Sequence, residues 1–153
     1  MGPLRTVVIF RSEQFNMKET KEHFINPENY GDDLAIWLAG ELEKQGAVIM
    51  RDEEFPGQED FGWFIDCKIN QNPYTLIIGH TLNDEEQFVW CMWIERNCGF
   101  MGSLFGGRKK NILPEAPELL HKVLKSSDKV TDLQWYTDDY LTKNFDELPQ
   151  AEP

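Results

Sequence analysis

The sequence predicts a two-layer α+β sandwich, with a mostly antiparallel sheet of about five to six strands and two helices on one face. Three observations predict it. Three apolar segments crowd between Phe61 and Arg96, separated by the turn-forming runs Asn70-Gln71-Asn72-Pro73 and Asn83-Asp84-Glu85-Glu86. Two segments with apolar residues at helical spacing flank that block. Period-two alternation then gives the central strands one almost wholly apolar face, which only packed helices can cover.

Thr6 to Phe10 is a short β-branched run and reads as the first strand. Glu13 to His23 is polar and reads as a loop or a short helical turn. Pro27 and the following acids open a helix over about Tyr30 to Gln45, with Leu34, Trp37, Leu38 and Leu42 on its apolar stripe. Gly40 inside it costs about 1 kcal/mol relative to Ala, which implies close packing there. Gly46 ends the helix and Lys44 suits its carbonyl end. Ala47 to Met50 follows as a strand, and Arg51 to Glu59 as an acidic turn.

In the central block, symmetric closure of the first turn sets Ile69 opposite Tyr74, Ile65 opposite Ile78 and Phe64 opposite Gly79. Closure of the second about Asp84 sets Ile78 opposite Trp90. One face then gathers Phe61, Trp63, Ile65, Cys67, Ile69, Tyr74, Leu76, Ile78, Phe88, Trp90, Met92 and Ile94, with His80 as its polar member. The other is mixed and carries Phe64, Asp66, Lys68, Trp93 and Glu95. Lys68 falls close enough to Trp93 for its ammonium to lie over the indole, which would contribute about 0.5–1 kcal/mol.

Four glycines make Asn97 to Asn111 a loop, yet it carries Phe100, Met101, Leu104 and Phe105 before the basic Arg108, Lys109 and Lys110. Such a loop folds under the sheet or touches something else. Pro114 and Glu115 open the second helix, whose stripe is Leu119, Leu120, Val123 and Leu124. Val130 to Tyr136 is the last strand. Residues 1–136 form one α+β domain, and 137–153 an acidic tail, loosely held in part, on which Tyr140, Leu141 and Phe145 could dock.

With 27 acidic against 15 basic residues the net charge is −12. That disfavours direct nucleic-acid binding and anionic membranes, and it favours a basic partner; solubility is the plainer reading of the same charge. Three cysteines without a C-x-x-C pair read as free thiols of a cytoplasmic protein. The Thr6–Phe10 run is too short for a signal peptide or membrane span.

Catalytic motifs are weak. Gly102 to Lys109 lacks the Ser or Thr and the immediate helix of a phosphate loop. Cys67 and His80 share a face, but it is the core face, where a cysteine is a small hydrophobe. His23, His80 and His121 have no metal-ligand spacing, and His121 reads as a helix-surface residue. Asp66 and Glu95 could form a carboxylate pair for hydrolysis, although a surface ion pair is the simpler reading with Lys68 nearby. Five tryptophans are many for this length. Trp37, Trp63 and Trp90 read as core, whereas Trp93 and Trp135 suit either a protein contact or cover by the chain itself.

Tyr30-Gly31-Asp32-Asp33-Leu34-Ala35, Trp37-Leu38, Asp60-Phe61-Gly62-Trp63-Phe64, Trp93-Ile94-Glu95-Arg96 and Leu133-Gln134-Trp135 together resemble a family of small acidic bacterial α/β proteins of uncharacterised activity. The resemblance spans about Asn29 to Tyr136. It implies a bacterial source and a compact α/β unit, and brings no activity with it.

The expected function is therefore non-enzymatic binding of another, basic, protein, as an inhibitor or immunity-type protein would act, with no cofactor and no metal. The expected partner surface is Phe64, Asp66, Lys68, Trp93 and Glu95 with Phe100, Phe105 and Arg108 of the loop. Two alternatives stand beside it. One is a small-ligand module or weak hydrolase with a pocket between the mixed face and the loop. The other is a homodimer that pairs this face with itself.

Overall fold

The computed structural model describes residues 3–22, 24, 28–51, 55–59, 61–97 and 107–153. Among them the order is β1 (Val7–Arg11), α1 (Asp32–Lys44), β2 (Val48–Ile49), β3 (Gly57–Glu59), β4 (Gly62–Ile69), β5 (Asn72–Leu82), β6 (Phe88–Arg96), α2 (Glu115–Lys125) and β7 (Thr131–Tyr136). The strands form one open, antiparallel, seven-stranded sheet in the order β2-β4-β5-β6-β1-β7, and β3 also pairs with β4. The α+β two-layer architecture is as the sequence predicts, with one strand more than its upper count.

The extra strand is β3, inside the stretch read as a turn. Its Gly-Gln-Glu sequence carries no strand signal; pairing with Gly62 to Phe64 of β4 extends it. β2 shrinks to two residues on the edge beyond β4.

Both central hairpins close two residues tighter than symmetric closure suggests. Asn70 and Gln71 take φ of 49° and 72°, so a two-residue turn suffices and Ile69 faces Asn72. At the next turn the Asn83 side chain accepts hydrogen bonds from the Glu85 and Gln87 amides, both at 2.9 Å, and Leu82 faces Phe88. A slip of two preserves the facing of every side chain, because the strand period is two. The assignment of faces therefore survives although the partners change.

One face receives both helices. Leu34, Ala35, Leu38, Ala39 and Leu42 of α1, with Ala116, Leu120, Val123 and Leu124 of α2, pack on Val8, Phe10, Trp63, Ile65, Tyr74, Leu76, Ile78, Trp90, Met92 and Trp135. Each fully buried large side chain here contributes about 1.5–3 kcal/mol of transfer free energy. Gly40 departs from expectation: a methyl group there would meet nothing within 4 Å, so close packing is not its reason.

Candidate binding face

Among the described residues, both helices lie on one face and the opposite face of the sheet carries no helical layer. One row of cross-strand partners runs over it: Phe64 on β4, Ile77 on β5, Trp93 on β6, Val7 on β1 and Tyr136 on β7. Ile77 and Val7 are buried, whereas Phe64 and Trp93 are half-buried.

Phe61 joins this row, against the core placement that alternation predicts. Gly62 has φ +143° and lies so near β5 that a Cβ would overlap the Ile78 carbonyl oxygen. That backbone conformation, open to glycine, breaks the alternation one residue before β4. The Phe61 ring then lies 6.5 Å from both Phe64 and Trp93, with 47% of the residue exposed.

Asp66 and Glu95 share the next row, with Thr75 between them. Two strand spacings therefore separate the two carboxylates, and among the described residues Lys68 forms no ion pair with either. Asp66 accepts hydrogen bonds from the Thr75 hydroxyl at 2.6 Å and the Asn97 amide at 3.3 Å, so it is engaged structurally. The expected Lys68–Trp93 contact is likewise absent among the described residues. Lys68 pairs with Pro73 and stands four residues along β4 from the Phe64–Trp93 row, about 13 Å away.

Phe100 and Phe105, with Cys98, lie outside the described residues. Gly107–Lys109 form a short turn, with Arg108, Lys109 and Lys110 exposed. Arg96 holds the base of this segment through its guanidinium, which donates to the Asn111 carbonyl at 3.1 Å and the Asn72 side chain at 3.0 Å. Between this base and the sheet opens a cleft of about 480 Å³. Leu4, Val7, Trp93, Ile112 and Leu141 give it apolar walls, and Glu95, Asp138 and Lys109 give it charge. Among the described residues, none of those three charged groups has a hydrogen-bond or ion-pair partner.

The tail builds one wall. After β7 the chain turns through Asp138–Leu141 and lays Tyr140 on Tyr136, ring centroids 3.9 Å apart. Glu147 then accepts hydrogen bonds from the Thr137 amide and hydroxyl. Burial, with Tyr140 adjacent, pushes the Tyr136 hydroxyl up to about 12. Past the tyrosine pair a second hollow of about 460 Å³ opens on the same face. Ile9, Val89 and Tyr140 line it, and it carries Asp84, Glu85 and Asp132 against Arg11.

The described thiols and imidazoles, those of Cys67, Cys91, His80 and His121, are built into the structure. Cys67 and Cys91 are buried, and desolvation pushes each up to about 12. Cys67 faces Tyr74 while His80 faces Trp90, so register separates them along the sheet. His80 stacks between Phe88 and Tyr30, its Nε2 accepting the Tyr30 amide at 3.2 Å. His121 is no bare surface residue: its Nδ1 accepts the Trp135 indole N–H at 2.9 Å. Trp135 is thereby core, whereas Trp37, read from the sequence as core, is half-buried against Phe15. Among the described residues no group of three His, Cys, Asp or Glu is arranged to hold a metal ion, and no helix is long and apolar enough to cross a membrane.

The contributions of β1 and the tail escape sequence reasoning. Leu4, Val7, Asp138 and Leu141 are far apart in sequence and meet only because β1 inserts between β6 and β7. No protein-family model matches this chain, and neither do any curated protein or solved structure.

Proposed function

We propose that this is a non-enzymatic, cytoplasmic binding protein that holds a basic protein partner against the face of its sheet opposite α1 and α2, as an inhibitor or immunity-type protein would. One observation carries this reading. That face combines a partly exposed aromatic group, Phe61–Phe64–Trp93, with two hollows bearing the carboxylates of Glu95, Asp138, Asp84, Glu85 and Asp132, against, among the described residues, Lys109 and Arg11. Half-buried aromatics surrounded by charge are the usual anchors of protein interfaces, and a net charge of −12 would steer a cationic partner toward them.

The test uses the intact chain and its Phe61→Ser variant as parallel baits in extracts of the source cells. A basic protein should be retained by the first and lost from the second, with both baits unfolding at the same urea concentration. Its association rate should fall at least about tenfold as salt rises from about 50 to about 500 mM. A rate indifferent to salt overturns the electrostatic part of the reading.

The cleft beside Trp93 favours a second reading, a small-ligand module. Its volume of about 480 Å³ falls within the range of ligand pockets, roughly 300–1,000 Å³, and its walls are mostly apolar.

A further inference from the structure

We propose that the cleft beside Trp93 is an anchor pocket for an apolar side chain of the basic partner together with an adjacent lysine or arginine, whose charge Glu95 and Asp138 receive. The inference rests on the protein-binding reading and specifies what the partner must present.

Four features carry it. The walls are apolar where β1, β6 and the tail converge, so the bound group sheds water against Val7, Ile112 and Leu141. The charged lining sums to −1, from two carboxylates and the ammonium of Lys109, and neither carboxylate is engaged elsewhere among the described residues. An anion would meet a lining of net negative charge, whereas a cation balances it and also meets the indole of Trp93. Finally, Trp93 belongs both to the cleft and to the exposed aromatic row, 6.5 Å from Phe61. A chain laid along that row therefore delivers one residue into the cleft and its neighbours onto the rim, which a free small molecule would not need.

The test is a titration of the intact, isotope-labelled chain with three blocked pentapeptides. They are Gly-Lys-Leu-Lys-Gly, a Gly-Lys-Ser-Lys-Gly control without the apolar anchor, and a charge-reversed Gly-Glu-Leu-Glu-Gly; n-butylammonium is titrated alongside. The expected result is that the first peptide shifts the Trp93 indole and the Thr6, Ile112 and Thr142 amides, with an affinity at least about tenfold above each control and above the free amine. The double variant Glu95→Gln/Asp138→Asn should lose about that factor, and Thr142→Trp, which fills the cleft from an exposed position, should abolish the shifts. Unchanged amide dispersion shows that each variant is folded.

Equal binding of the serine or glutamate control overturns the anchor pocket. So does a free amine that binds as tightly as the peptide, which moves the cleft to the small-ligand reading. Shifts at Phe61, Phe64 and Val89 without shifts around the cleft overturn the pocket but leave the protein-binding face standing. No shift anywhere on that face with any basic peptide overturns both.

Discussion

The two faces of the sheet differ in what their aromatic residues are for. On the helix-covered face Trp63, Trp90, Trp135, Tyr74 and Phe10 are buried, and two of the indoles are tied from within the protein: that of Trp63 donates to the Asn29 carbonyl at 2.7 Å, and that of Trp135 to His121. On the other face the Phe61 ring lies tilted at 6.5 Å from both Phe64 and Trp93, which flank the buried Ile77 across the strands, and Phe61 keeps an exposed side. The lesson is that a side chain's chemistry does not tell whether it stabilises or recognises. The layer above it does.

The sharpest way to break this contrast is to truncate one residue on each face. Leu38→Ala, in the interface between α1 and the sheet, should cost about 2–5 kcal/mol in urea unfolding, because the cavity it leaves cannot collapse. Phe61→Ser should change stability by under about 1 kcal/mol yet weaken partner binding by at least about tenfold. If the Phe61 variant loses as much stability as the Leu38 variant, the open face is structural and the functional reading of it fails.

Acid should act on the covered face. His80 and His121 both serve as neutral acceptors, and burial holds both below the usual imidazole value. A depressed histidine takes up its proton first in the unfolded chain. The stability it contributes is therefore complete above about pH 6.5 and declines as pH falls below that. Melting temperature should drop between pH 7.5 and 5.5, and the drop should shrink in the double variant His80→Gln/His121→Gln. An identical drop in both proteins would show that the histidines are not its cause.

The smallest expected effect belongs to Lys68. It is exposed and stands off the aromatic row, so Lys68→Ala should leave stability within about 0.5 kcal/mol and the partner affinity unchanged. A tenfold loss of affinity would extend the binding face to the β2 edge.

Much of the architecture is legible because alternation along β4, β5 and β6 is strong, and an error of two residues in register leaves it intact. Phe61 is misplaced because alternation holds only while the backbone stays extended, and nothing in the triplet Phe61-Gly62-Trp63 says that Gly62 takes a positive φ. Lys68 and Trp93 are brought together by the same register error that is harmless to the faces: facing tolerates an even slip, but pairwise contacts do not. The cleft is hidden for a different reason. Its walls join β1 and the tail to β6 and the residues after it, and strand order across a sheet is a property of the whole fold.

The tail has one more consequence. At Trp135 the backbone of β7 exchanges hydrogen bonds with Gln150, the amide of each donating to the carbonyl of the other at 2.8 and 3.0 Å. β7 is a border strand, and a border strand with idle amides invites a second molecule to add its own strand and so to grow a stack. The Gln150 segment already sits where that visitor would dock. The protein thus carries its own stopper against self-templated assembly, and a cut ahead of Gln150 would leave a fully folded sheet with a newly adhesive rim.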